Sequence, residues 1–222
     1  MNEPRLLLVR HGVTAWNREG RFQGHLDPPL SDAGQHEARL VAVRLAADDG
    51  LRPARVISST LARARQTADA IADVASTSVE GDARLIEIGQ GEWEGRTHAE
   101  LEVEDAERYR EWRSAAGVRQ PPGGEPIEEA TRRVRALLDD VTANDRWPTC
   151  LVSHGGTLRI LAHELLDLRD GRSRAMDVDN ASLSVVARVQ GAWRLERWND
   201  TFHLLGVEPT HVDEAEGRPL AL

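Results

Sequence analysis

The sequence predicts an α/β fold: a three-layer sandwich with a mostly parallel central sheet, at least one antiparallel strand, helices on both faces and a small cap region. Three observations carry the prediction. The aliphatic runs Leu6-Leu7-Leu8-Val9, Val56-Ile57-Ser58 and Cys150-Leu151-Val152 are short and unbroken, the mark of strands buried on both faces. Segments of helical apolar spacing alternate with these runs, and such alternation builds parallel sheets. Late in the chain, residues 182–189 and 193–199 flank Gln190-Gly191-Ala192 and read as a β-hairpin, which supplies the antiparallel strand.

The elements follow in order. After the first strand, Ser31 can cap a helix whose buried face is Ala38, Val41, Ala42 and Leu45, ended by Asp48-Asp49-Gly50. Residues 55–58 form the next strand, and residues 60–75 its helix, with Leu61, Ala64, Ala68, Ile71 and Ala75 on one stripe. A strand is expected near residues 78–80. Residues 98–116 read as helical and strongly charged, with Tyr109 and Trp112 as the only large anchors, and are expected to cap the site within a cap insertion at about 96–125. Ile127, Ala130, Val134, Leu137, Leu138 and Val141 mark a clear amphipathic helix. A strand at 150–153 and a helix with Leu158, Leu161, Ala162 and Leu165 on one face come next, and the tail from Val207 onward, without periodicity, is expected to be loose. The Pro/Gly cluster at 120–126 is too short for an interdomain hinge, so residues 1–222 are expected to form one domain with a large core.

Composition excludes several function classes. The net charge of −9 argues against nucleic acid or an anionic membrane as the main partner, because both demand a basic face. All 28 basic residues are arginine. Without lysine there is no Walker-type P-loop, Schiff base or pyridoxal attachment. Cys150 is the only cysteine, so no intrachain disulfide forms, and it reads as a small buried core residue. Gly156 stands six positions after it, where a cysteine phosphatase would carry arginine. Met1-Asn2-Glu3-Pro4-Arg5 enters the first strand directly, and no apolar run is long enough to span a bilayer, so a cytoplasmic protein without a signal peptide is expected.

Four segments carry chemistry. Arg10-His11-Gly12 sits at the carboxyl end of the first strand, where open α/β sheets bind ligands. Ser153-His154-Gly155-Gly156-Thr157 repeats that design at the end of the 150–153 strand. Ser59-Thr60 opens a helix with Arg63 in its first turn, where a cation opposes the helix dipole unless an anion lies between them, so the misplaced charge suggests a bound anion. The fourth segment, Glu87 to Gly95, is punctuated by glycine, and its Glu87 lies between apolar Ile86 and Ile88, a setting expected to favour the protonated carboxyl. Alone, Arg-His-Gly is a common tripeptide in an arginine-rich chain, and Arg63 reads equally well as a solvated surface residue.

Together these segments resemble the histidine phosphatase superfamily, the phosphoglycerate-mutase-like fold. The resemblance runs through Arg10-His11-Gly12-Val13-Thr14-Ala15-Trp16-Asn17, Arg21-Phe22-Gln23-Gly24, Asp27-Pro28-Pro29-Leu30-Ser31, Ser58-Ser59-Thr60-Leu61-Ala62-Arg63-Ala64-Arg65-Gln66-Thr67-Ala68, the Glu87 segment, Pro122-Gly123-Gly124-Glu125 and Val152-Ser153-His154-Gly155-Gly156. Val13 and Thr60 depart from the usual pattern at positions outside the family's catalytic set. The resemblance implies His11, Glu87, Arg10, Arg63 and His154 as catalytic residues and Asn17, Gln23, Gly24 and Gly155 as substrate-binding ones. It implies a small phosphomonoester substrate, no metal and no cofactor, and it is compatible with a homodimer.

The residue types fit that chemistry. A phosphomonoester dianion repels nucleophiles, so its oxygens must be neutralised and the attacker held in line. Arg10, Arg63 and a protonated His154 are expected to supply the charge, with Asn17 and main-chain amides as further donors. Three cations around its ring keep His11 neutral and able to attack phosphorus. Glu87 is expected to protonate the departing alkoxide and later to deprotonate water. A phosphatase, a phosphoglycerate mutase and a silent phosphate-binding module all remain open. The complete set of five residues disfavours the third. Mutases of the family hold the substrate carboxylate with an Arg-Arg pair in the cap, a Tyr shortly after the acid and an Asn two after the second His. Here the cap lacks adjacent arginines, Gln90 stands near the Tyr position and Gly156 at the Asn position, so phosphatase is expected. Arg96 or His98 is placed to touch the far end of the substrate, with helix capping by Thr97 as the competing reading. His25, His36, His163, His203 and His211 are expected to be structural or solvated, and most tryptophans to pack in the core or hairpin.

Overall fold

A computed structural model describes residues 3–113, 120–168 and 176–206. Six strands form one sheet in the order β3-β2-β4-β1-β5-β6, with β1 Arg5–Arg10, β2 Arg55–Ser58, β3 Val79–Gly81, β4 Thr149–Ser153, β5 Leu183–Val189 and β6 Ala192–Asp200. The pairs β1/β4, β2/β4 and β2/β3 are parallel; β1/β5 and β5/β6 are antiparallel, the last as the expected hairpin.

Alternating side chains of the central strands enter two cores. Leu6, Leu8, Ile57 and Leu151 pack on one face with α6 (Ile127–Thr142) and α7 (Gly155–Leu165). Leu7, Val9, Val56, Cys150 and Val152 pack on the other with α2 (Asp32–Ala46) and α3 (Ala62–Ala75). Period-two burial on both sides is why these runs are apolar throughout, and it gives the three layers. Ser31 caps α2 as expected, its side chain accepting the Gly34 amide at 3.1 Å.

The charged stretch differs from the single helix expected over 98–116. It is broken into α4 (His98–Glu104) and α5 (Ala106–Arg113), and residues 114–116 lie outside the described residues. The break falls at Asp105, whose carboxylate accepts the Trp93 indole N–H at 2.8 Å and the Arg108 Nε–H at 2.7 Å. A side chain that bonds its neighbours in this way competes with a continuous helix. Tyr109 and Trp112 are the buried anchors, packed with Phe22, Trp93 and Leu101 in a separate apolar cluster. The tail expected to be loose lies outside the described residues. No helix among the described residues is long and apolar enough to cross a membrane.

Candidate active site

The parallel register builds the site. Arg10 pairs with Ser153 and Ser58 with Val152, so His11, Ser59 and His154, each one step beyond its strand or close to it, gather at the carboxyl edge of three neighbouring strands. The His11 and His154 rings lie with centroids 5.1 Å apart, about one inter-strand spacing.

His11 is 3% exposed. Its amide donates to the Ser153 carbonyl at 3.0 Å, and its own carbonyl accepts the Ala181 amide and the Asn180 Nδ2, both at 3.1 Å. The ring nitrogen Nδ1 stands 2.7 Å from the Gly12 carbonyl, which can only accept, so Nδ1 carries the proton and Nε2 keeps its lone pair. Burial, then Arg63 and Arg10, hold the imidazole well below its usual pKa and keep it neutral. Gly12 is required here, since a Cβ would lie 2.4 Å from the Gly34 carbonyl oxygen.

His154 is fully buried, with Nε2 2.8 Å from Ser59 Oγ. Burial first, then Arg63, His11 and Arg10, lower its pKa well below the usual value. This corrects the expectation of a protonated His154: the ring is neutral, because the cations that were to share its work, together with the loss of water, exclude another charge.

Arg63 occupies the first turn of α3 and is 1% exposed, not solvated. Its Nη1 and Nη2 donate to the carbonyls of Leu26 at 2.8 Å and Gly24 at 2.9 Å. Burial lowers its pKa to about 10, which leaves it a cation at neutral pH. The misplaced charge at the helix start has an answering anion within the chain, because Asp27 lies 3.8 Å from Arg63 and accepts the Ala62 amide at 2.7 Å. Gly24 combines φ +49° with a tight approach to the Glu94 carboxylate, so the 23–27 loop is pinned as it grips Arg63. Arg10 donates to the Val178 carbonyl and packs beside Gly155, the first residue of α7.

Glu87 lies beside apolar Ile88 and is also bonded to main-chain amides. Its Oε1 accepts the Ile88 amide at 2.9 Å and the Thr157 amide at 3.1 Å, and its Oε2 accepts the Gly156 amide at 3.2 Å. The carboxylate therefore sits on the N-terminus of α7, bonded to free main-chain amides of its first turn. A Cβ on Gly156 would lie 2.7 Å from Glu87 Oε1 and 2.8 Å from Ile88 Cδ1. Asn17, in the short helix α1 (Ala15–Arg18), spends its Oδ1 on the Thr14 amide at 3.0 Å, while Gln23 Oε1 lies 3.2 Å from Thr14 Oγ1.

These contacts converge on one edge of the sheet, and a profile of the histidine phosphatase superfamily, branch 1, matches residues 6–201. The chain belongs to this superfamily. It is 35% identical over 207 residues to the "Probable phosphoglycerate mutase GpmB" of Yersinia enterocolitica, covering 90% of this chain and 94% of that protein. A mycobacterial glucosyl-3-phosphoglycerate phosphatase solved with VO3 superposes with a TM-score of 0.80 at 33% identity, covering 89% of this chain and 99% of that one. The alpha-ribazole phosphatase of Shigella flexneri superposes with a TM-score of 0.75 at 30% identity, covering 88% and 96%.

Sequence reasoning gave no role to several residues that this superfamily member places around His11, His154 and Glu87. Ser59 was visible only as part of a motif, and Asn180 lies in a stretch without periodicity. His25 was expected to be structural or solvated; its Nε2 donates to the Glu87 carbonyl at 3.0 Å. For Arg96 and His98 the capping reading holds. Thr97 forms a capping box on α4, Arg96 pairs with Glu104, and His98 bonds the Tyr109 hydroxyl at 2.8 Å.

Neutral burial of histidines makes stability depend on pH. Burial pushes His98 down to about 4, and lowers His203 as well as His11 and His154. Unfolded, these groups return to about 6.5 and bind protons that the folded state refuses, so stability is complete above that value and falls as pH drops below it. The fully buried His11 and His154 each contribute up to ~1.4 kcal/mol per pH unit in that window, and the more exposed His203 contributes less. The urea midpoint is expected to fall between pH 7.5 and 5.5 at constant m-value; an unchanged midpoint would contradict neutral burial.

Proposed function

We propose that the chain is a phosphatase that hydrolyses a small phosphomonoester through a phosphohistidine on His11, without a metal ion. The observation that carries this reading is the His11 ring, neutral and tied through Nδ1 to Gly12, which leaves its Nε2 lone pair free in the field of buried Arg63 and half-buried Arg10. Arg10 and Arg63 neutralise the phosphate oxygens, and Asn17, Gln23, Gly24 and Gly155 shape the pocket around them. His11 Nε2 attacks phosphorus as the ester P–O bond breaks, and Glu87 gives its proton to the departing alkoxide. Water then attacks the P–N bond, Glu87 takes its proton, and inorganic phosphate leaves with His11 restored. Ser59 Oγ accepts the Leu61 amide at 3.2 Å and has one proton to give. Donated in a hydrogen bond to His154 Nε2, that proton stays on Ser59 and fixes the neutral tautomer, so that His154 Nδ1–H, which has no partner among the described residues, is a neutral donor for the oxyanion.

Mutase activity is the second reading, favoured by the name of the Yersinia relative. A mutase must shield its phosphohistidine from water until a second hydroxyl arrives. Gly156 brings no side chain for the substrate, and Gln90 is buried with Nε2 on the Ile88 carbonyl at 3.0 Å, which leaves those two anchor positions empty of function. With 3-phosphoglycerate, free phosphate is expected without a bisphosphoglycerate primer and without 2-phosphoglycerate accumulating. Isomer exchange faster than phosphate release would decide for the mutase. Turnover is expected to survive exhaustive chelation and to be inhibited by vanadate, whereas loss with EDTA restored by a divalent ion would point to a metallophosphatase.

A further inference from the structure

Arg133, in the second turn of α6, belongs to none of the motifs, yet its guanidinium holds the peptide that carries Glu87. Nη1 donates to the Arg84 carbonyl at 2.6 Å and Nη2 lies 3.4 Å from the Glu87 carbonyl, so one planar group spans both ends of the 84–87 segment. The same guanidinium is locked by Glu125 through a forked pair, Nε to Oε1 at 2.8 Å and Nη2 to Oε2 at 3.1 Å, with both side chains largely buried at 15% and 14% exposure. Glu125 in turn takes the Gly89 amide at 3.2 Å and gives its own amide to the Gly89 carbonyl at 2.8 Å. The chain is thus held at residues 84 and 87 from α6, and at 89 by Glu125 just before it, while the Glu87 carboxylate is held from α7. A partly buried ion pair is weak evidence for stability, because desolvation offsets most of the attraction. Its planar, forked geometry does fix position.

We propose that Arg133, locked by Glu125, is a positioning residue for the general acid, holding the Glu87 peptide so that the carboxyl meets the leaving oxygen. The proposal rests on the reading of Glu87 as the acid. It separates Arg133 from a residue that merely supports the fold, because a misplaced acid matters only when the leaving group needs a proton.

The test compares kcat/KM for an alkyl phosphate, glycerol phosphate, with that for p-nitrophenyl phosphate, whose leaving group departs without a proton. Arg133→Met and Glu125→Gln are expected to lose about tenfold or more on the alkyl ester, below the full general-acid contribution of roughly a hundredfold because the acid is displaced and not removed. On the aryl ester the loss should stay within about threefold, with vanadate inhibition unchanged. Arg133→Lys, which can hold one carbonyl but not fork, should recover part of the alkyl rate. Equal losses on both esters, or an alkyl loss within about threefold, would overturn the proposal. If Arg133→Met does not fold, Glu125→Gln and Arg133→Lys carry the same comparison. Glu87→Gln measured alongside separates the two failures. If it discriminates between the esters and the Arg133 variants do not, positioning fails alone; if it does not discriminate, the acid reading fails and the proposal with it.

Discussion

His11→Ala is expected to abolish turnover, by at least about ten-thousandfold as for removal of a nucleophile, while the protein stays folded. The anchors of this position are main-chain ones, to Ser153 and Ala181, together with the Asn180 amide on the His11 carbonyl, and all survive truncation of the ring. The covalent intermediate gives an independent readout: wild type trapped during turnover should carry an acid-labile, alkali-stable phosphate on His11, and the variant none. Label on a serine, or residual turnover within about tenfold of wild type, would remove His11 from the role. The variant also loses one of the buried neutral imidazoles, so its stability should decline less steeply below pH 6.5 than that of the wild type.

Glu87→Gln should cost about a hundredfold or more with an alkyl leaving group and clearly less with p-nitrophenyl phosphate. The amide cannot give or take the proton. It also cannot satisfy α7, because Oε1 and Oε2 both face N–H donors and the new NH2 would oppose one of them. A stability loss of ~1 kcal/mol should therefore accompany the loss of rate. Comparable losses on both esters would mean that Glu87 acts only in the attack of water, or only holds α7.

What the sequence discloses here is whatever lies along the chain. His11 and His154 were legible because each closes an aliphatic run, and the register of β1 with β4 brings them level. Arg63 was legible as a charge at the wrong end of a helix, but its acceptors sit in the 24–27 loop, which only tertiary folding brings across. Glu87 shows the limit most clearly. Its chain neighbours suggested an apolar setting, whereas its carboxylate faces amides about 70 residues later in sequence. The neutral state of His154 follows from the cost of burying several cations together, which no count of charges along the sequence contains. Arg133 offers no local signal at all, since a charged residue on a helix reads as solvated until its partners at Arg84 and Glu125 are seen.

The contact between Gly156 and Glu87 also constrains how this chain can change. A Cβ at position 156 would come within 3 Å of Glu87 Oε1 and Ile88 Cδ1, so any residue other than glycine there displaces those two side-chain ends. The asparagine that family resemblance associates with mutases would enter here only together with a shift of the Glu87 carboxylate. Substitutions at 156 are therefore expected to couple to substitutions along the 87–88 segment, because the two positions share one contact. A library that varies 156 together with 88 is expected to show non-additive effects on turnover, which single substitutions at 156 would not reveal.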